Sequence, residues 1–272
     1  MAGRPVLRGV MNAIQNAEAG PVVRVEDVTL QYKTPDHLVT ATYKVSFDIY
    51  RAERFVMLGP SGCGKSTILK SIAGFHPPAG GEIRLKGQRI KAPGPDRMMV
   101  FQEFDQLFPW KTVLGNVMMP MLSNGVRAAE ARERALEVIN KVNLTKFADV
   151  YPHMLSGGMK QRAAIARAMA MKPDVLLMDE PYAALDALTR RKMQDELLQL
   201  WDDIRFTLIF VTHSIEEAVI VGSRILVLTP HPGQVLAELN SPGFRHDERD
   251  GPEFGALCKR IHHMLFGEGA KS

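Results

Sequence analysis

Gly59-Pro60-Ser61-Gly62-Cys63-Gly64-Lys65-Ser66 carries the spacing G-x-x-x-x-G-K-[ST], and Thr67 follows it. That spacing is built to hold phosphate. Glycines let successive backbone N–H groups turn inward around an anion. A helix starting at the loop adds its positive end. Lys65 is placed to reach the β- and γ-phosphates of a nucleotide, and Ser66 to offer its hydroxyl to Mg²⁺. Cys63 fills a variable slot, where a thiol near a helix N-terminus is either passive or activated.

A second signal is Asp179-Glu180, delivered by the apolar run Val175-Leu176-Leu177-Met178 and closed by Pro181. A buried parallel strand presents its C-terminal edge to ligands. Asp179 there would hold Mg²⁺, directly or through water. Glu180, one residue on, points another way and would polarise an attacking water. Alone, such a pair is as readily a surface turn. About 120 residues after a phosphate loop, it reads as the other half of a hydrolytic site.

Leu155-Ser156-Gly157-Gly158-Met159-Lys160-Gln161-Arg162 opens a helical run that ends before Pro173. Ser156 is a good N-cap, and the glycines leave the helix mouth bare for phosphate. One active site does not need two cradles. Two readings stand: the helix serves a nucleotide held by a second copy of the chain, or its glycines only permit close packing.

These residues need scaffolding. Residues 22–58 read as strands, with Val45, Phe47 and Ile49 alternating and Phe55-Val56-Met57-Leu58 forming a buried run. Glu82-Ile83-Arg84-Leu85 and Arg89-Ile90 flank a hairpin turn at Lys86-Gly87-Gln88. Residues 104–171 read as mostly helical. The strands expected at 175–178 and 207–211 are separated by a helix expected from Leu188 to about Ile204. Strand–helix–strand alternation implies a parallel sheet with right-handed crossovers. Ser214 and Glu217 have the capping-box spacing for a helix just after the second of those strands.

In this order the motifs resemble the nucleotide-binding subunits of ABC transporters, over roughly residues 22–239. The string at 155–162 resembles the ABC signature. Gln102, in Val100-Phe101-Gln102-Glu103, resembles the Q-loop glutamine, and Ala184-Leu185-Asp186 the D-loop. His213, in Val211-Thr212-His213-Ser214, resembles the switch histidine. Tyr32 stands where the family has an aromatic residue that stacks on adenine. As bare residues, a loop glutamine is more often solvated, a lone histidine more often structural, and an aromatic at a strand end more often core or rim. The ordered set is what gives them roles.

The resemblance implies an α/β fold: a P-loop NTPase core with an antiparallel β subdomain and a helical subdomain at about 103–171. The ATPase domain would span 21–240, between extensions at 1–20 and 241–272. It implies ATP and Mg²⁺ as cofactors, with Ser66, Gln102 and Asp179 contacting the metal and Glu180, His213 and Gln102 acting in hydrolysis. One copy would bind the nucleotide through Tyr32, Gly59, Pro60, Ser61, Gly62, Cys63, Gly64, Lys65, Ser66 and Thr67. The other would present Ser156, Gly157 and Gly158, in a head-to-tail dimer.

Narrower strings are Gly94-Pro95-Asp96-Arg97, Leu107-Phe108-Pro109-Trp110, Asp186-Ala187-Leu188-Thr189-Arg190 and Pro230-His231-Pro232-Gly233. They resemble the nitrate/sulfonate/taurine-type importer ATPases. That implies import of a small, anionic solute through separate transmembrane permease subunits, with a periplasmic or surface solute-binding protein. The chain would then sit on the cytoplasmic face of the membrane as a peripheral subunit. Pro181-Tyr182-Ala183-Ala184 departs from the group's commoner Pro-Phe-Gly-Ala, and the extra Ala side chain is expected to tighten the loop. The alternatives are an export ATPase and a soluble ABC ATPase acting on DNA or ribosomes. The short span between phosphate loop and acidic strand, without sustained heptads, and the single cassette disfavour the soluble class.

Composition agrees. Apolar residues make up 46% and charged residues 24% of 272, an ordinary globular balance with a net charge of +4 that does not demand nucleic acid. Two cysteines make no disulfide framework. No run approaches the roughly 18 apolar residues of a membrane span, or the about 7–15 of a secretory leader. Leu7, Val10, Met11 and Ile14 share one helical face, which suits either a loose tail or a helix on a partner or membrane surface. Phe254, Leu257, Cys258 and Ile261 suggest another short amphipathic helix.

Overall fold

The computed structural model describes residues 20–33, 37–103, 106–244, 248–249 and 251–267. The helical face at Leu7 to Ile14 falls outside them. In chain order the elements are β1 (Val23–Lys33), β2 (Leu38–Ile49), β3 (Arg54–Leu58), α1 (Lys65–Ile72), β4 (Gly80–Leu85), β5 (Gln88–Arg89), β6 (Arg97–Val100), α2 (Val113–Ser123), α3 (Ala128–Lys141), α4 (Gly157–Met169), β7 (Val175–Asp179), α5 (Ala187–Ile204), β8 (Thr207–Thr212), α6 (Ile215–Val221), β9 (Arg224–Leu228), β10 (Val235–Asn240) and α7 (Pro252–Phe266). The chain divides into two compact units. One takes its described residues from Met1–Pro93 and Phe206–Ser272, and the other is Gly94–Arg205.

In the first unit, β1, β2, β4 and β5 form an antiparallel sheet in the order β2-β1-β4-β5. A second set of strands runs β10-β9-β3-β8. Here β3 is parallel to both β8 and β9, and β10 closes the edge antiparallel. Phe55 to Leu58, Leu208 to Val211 and Ile225 to Leu228 are all inaccessible to solvent. Burying each such side chain stabilises by about 1.5–3 kcal/mol. These runs are continuously apolar because a parallel strand is covered on both faces.

α7 is longer than the short helix expected near Phe254. It buries Phe254, Ile261 and Leu265 and packs against α6. Phe244 meets Phe254 edge-on at 5.4 Å. Partial burial, with help from the Glu216 carboxylate, pushes the Cys258 thiol up to about 11.

In the second unit, α2, α3 and α4 pack pairwise, and β6 lies parallel to β7. The unit takes in β6, β7 and α5 as well as the helical stretch. β6 and the β9–β10 pair were not expected as strands. Arg97-Met98-Met99-Val100 has no alternation and little β propensity. Its ladder to β7 supplies what local sequence does not.

Candidate nucleotide site

The loop at 59–66 leaves β3 and enters α1, as its spacing requires. Gly62 and Gly64 have φ of +84° and +91°, which glycine adopts without penalty. Gly64 also has no room for a side chain, because a Cβ would lie 2.5 Å from Thr42 Cγ2. It occupies the N-cap of α1, so no side chain caps that helix mouth. Lys65 is buried, and its ammonium donates to the Gly59 and Pro60 carbonyls, both at 2.9 Å. The Lys65 charge is thereby fixed over the loop. Cys63 is fully buried, with its Sγ 4.0 Å from Lys65 Nζ.

His213 stands at the same strand edge. Leu58 pairs with Thr212, so the first loop residue after β3 and the histidine after β8 leave adjacent strands at one level. Behind the histidine lies a polar network. The buried Thr212 hydroxyl donates to Glu217 Oε2 at 2.5 Å and accepts from the Ser214 N–H at 3.0 Å. Ser214 Oγ caps α6 by accepting from the Glu217 N–H at 3.3 Å. The expected capping box is therefore only half made: the Glu217 carboxylate turns to Thr212 instead of the Ser214 N–H. Both residues flanking His213 are held, which fixes its backbone. Tyr32 belongs to this unit too, paired with Val39 across β1 and β2 and 51% exposed.

The second unit assembles the remaining residues on its own edge. Val100 pairs with Met178, so Gln102 after β6 and Asp179 at the end of β7 emerge side by side. Asp179 is buried and Gln102 exposed. At Glu180 the backbone has φ of +43°, a left-handed conformation that costs a non-glycine residue roughly 1–2 kcal/mol. Strain of this kind gathers at functional turns.

Tyr182 is fully buried, and its hydroxyl donates to the Met193 carbonyl at 3.3 Å. Arg190 Nε and Nη2 donate to the Tyr182 and Leu185 carbonyls at 3.3 and 2.9 Å. The expected tightening by Ala183 is not seen, since Ala183 is exposed. The loop is pinned by Tyr182 and Arg190 instead. Asp186 caps α5 through the Thr189 N–H at 3.0 Å. Hydrogen bonds from the Thr189 side chain and then its backbone hold the carboxyl below the usual range.

Ser156 caps α4, accepting from the Met159 N–H at 3.4 Å. Gly158 is buried against α5, where a Cβ would meet Thr189 Cγ2 at 3.3 Å. Ser156 is exposed and Gly157 half-buried.

Sequence reasoning missed Gln106. Its amide accepts from the Phe101 N–H at 3.1 Å and donates to the Phe101 and Glu103 carbonyls at 2.9 and 3.0 Å. It also reaches Gln161 Oε1 at 3.4 Å, on the fully buried Gln161 of α4. Arg167 of α4 donates to the Gln106 carbonyl at 2.7 Å, and burial lowers its pKa. The segment carrying Gln102 is thus tied to the helix that Ser156 caps. No pattern announces this: a polar residue in a loop gives no periodic signal.

The donor set suits a magnesium nucleotide. A glycine cradle, a fixed ammonium and a helix mouth without a side-chain cap accept phosphate. Among the described residues no group of three or more His, Cys, Asp or Glu could hold a metal. Mg²⁺ needs no such cage, because it binds through one or two protein oxygens plus phosphates.

The ABC transporter family profile matches residues 42–183. The chain belongs to the ABC transporter family. It is 46% identical to the taurine import ATP-binding protein TauB of Rhizobium johnstonii, over 84% of this chain and 89% of that one. Against the bicarbonate transport ATP-binding protein CmpD of Synechococcus elongatus identity is 42%, over 80% and 79%. A dimeric ATP-binding cassette in a post-hydrolysis state, bound to ADP and Pi, superposes with a TM-score of 0.71 at 35% identity. It covers 82% of this chain and all of that one. Within the family the chain is an ATPase of the nitrate/sulfonate/taurine importer type, working with ATP and Mg²⁺ on an α/β P-loop NTPase fold. As such it is the motor of a transporter complex rather than a soluble or export ATPase. No helix among its described residues is long and apolar enough to cross a membrane.

Proposed function

We propose that this chain powers uptake of a small anionic solute, of the nitrate, sulfonate or taurine kind, through separate permease subunits. The importer relatives support the solute class. A periplasmic or surface solute-binding protein delivers the solute, and the chain sits peripherally on the cytoplasmic face. The exposed corner around Trp110, 69% accessible, offers the permease an apolar foothold on the helical unit.

Two copies close head-to-tail on two ATP molecules. Tyr32 stacks on adenine, and the backbone of residues 59–67 wraps the phosphates with Lys65 on the β- and γ-groups. Ser66, Asp179 and Gln102 hold the metal, which supplies positive charge to the triphosphate. Glu180 orients and deprotonates the attacking water, and His213 steadies the γ-phosphate. Ser156, Gly157 and Gly158 of the second copy complete the pocket. Catalysis is mainly positioning and charge stabilisation. ATP binds the closed pair better than the open one, and that difference drives the change of shape.

One observation carries the reading: the phosphate loop and His213 leave paired strands at the same level, while Asp179 and Gln102 do so on theirs. Glu180→Gln tests it. The amide keeps the shape and removes the base, so hydrolysis falls by about 10²–10⁴-fold. ATP binding survives and an ATP-bound dimer accumulates on gel filtration. Wild-type phosphate release would show that Glu180 is not the base.

A further inference from the structure

Pro230-His231-Pro232-Gly233 lies in the turn between β9 and β10 and has no role in the chemistry above. The turn nevertheless reaches the phosphate loop. The Gly233 N–H donates to the Ala41 carbonyl, and the Tyr43 N–H donates to the Gly233 carbonyl, both at 3.0 Å. Gly233 therefore joins β2 by a parallel bridge at Thr42. Gly233 is buried, unlike its neighbours in the turn. A Cβ on it would overlap the Cys63 carbonyl oxygen, far inside van der Waals contact. Beside Gly233, Thr42 Cγ2 lies in the room that the missing Cβ of Gly64 leaves. At the loop's start, a Cβ on Gly59 would meet the Leu228 carbonyl, at the end of β9, at 3.1 Å.

We infer that Gly233 is a positioning residue for the nucleotide, acting as the back wall of the phosphate loop. The backbone at Cys63 and Gly64 presents the cradle, and Gly233 with Thr42 sets how far back it can sit. Gly233 has no left-handed φ, so adding a methyl group strains nothing except this contact. The turn itself is latched by Thr229. Its hydroxyl accepts from the Gln234 N–H at 2.9 Å and donates to the Pro232 carbonyl at 3.3 Å. The inference rests on the phosphate-loop reading, so the test separates the two.

The experiment titrates full-length chains with MgATP by calorimetry and follows the thermal shift that nucleotide confers. Gly233→Ala must push the Cys63 carbonyl or the turn by on the order of 1 Å, enough to break a charge-assisted backbone contact to phosphate, which costs roughly ten- to a hundredfold in affinity. The expected result is a folded protein with that loss of MgATP affinity and little nucleotide-induced stabilisation. A merely structural role would lower the melting temperature without nucleotide and leave the dissociation constant alone, and that outcome overturns the inference. If Gly233→Ala does not fold, Thr229→Val decides. It adds no bulk but unlatches the turn, and it should weaken MgATP binding about fivefold. Wild-type affinity there overturns the inference. Lys65→Ala is the control: if it still binds MgATP normally, the phosphate-loop reading fails and the inference falls with it.

Discussion

The helices α1 and α4 open in opposite ways, although both are assigned to the same nucleotide. α1 follows Gly64, which sits in a left-handed conformation and, as a glycine, has no side chain with which to cap the helix. α4 begins at Ser156, whose hydroxyl already takes the Met159 N–H. An uncapped mouth leaves its backbone donors to an outside anion. A capped mouth keeps one donor at home and offers the hydroxyl itself. In the proposed function the first is the primary binding site, reinforced by the Lys65 ammonium. The second suits a contact that is made and broken, because the helix is satisfied without it. A motor needs both: one copy that keeps its ATP, and a partner that engages only on closure.

Removing the charge at the first mouth should have the largest effect. Lys65→Met deletes a charge-assisted hydrogen bond to phosphate, worth about 1.5–3 kcal/mol, and lowers MgATP affinity by up to about a hundredfold. Calorimetry on the isolated chain measures it. An unchanged affinity would erase the contrast between the two helices.

Ser156→Ala attacks the second mouth and should leave MgATP binding to the monomer unchanged. The lost cap costs about 0.5–1 kcal/mol, at the low end because the bond is 3.4 Å long and exposed. Hydrolysis should fall much further than stability does, since a closed dimer is needed for turnover. Phosphate release and melting temperature, measured on one preparation, separate the two effects. Loss of nucleotide binding by the monomer would mean that α4 serves its own chain's ATP.

Much of this contrast was legible in the sequence, for a physical reason. The roles proposed for the phosphate loop and the signature string depend on backbone conformation and short side chains close together in the chain. Spacing alone therefore encodes them. The strands bearing Asp179 and His213 were legible because buried parallel strands must be apolar throughout. Contacts that depend on distant partners were hidden. Glu217 has capping-box spacing, yet its carboxylate goes to Thr212, which only the β8–α6 geometry brings near. Gln106 looks like any loop residue until Gln161 and Arg167 of α4 are placed beside it. β6 exists because β7 pairs with it. The importer-like string at Gly233 was visible, and what it touches was not.

A third helix mouth sharpens the comparison with the smallest effect. α5 is capped by Asp186, a full negative charge at the positive end of a helix, and its bonds from Thr189 hold the carboxyl below its usual range. A carboxyl depressed in the folded state contributes stability above its unfolded value of about 3.9, and loses it as pH falls through the lower folded value. Asp186→Asn keeps an equally good cap without the charge. Its melting temperature should match the wild type at pH 7, and it should lose less than the wild type between about pH 5 and 2. Thermal unfolding across that range reads the difference. Identical acid profiles would mean that the charge at this mouth adds nothing to the cap. The contrast between α1 and α4 would then rest on who occupies the N–H groups, not on the sign of what sits there.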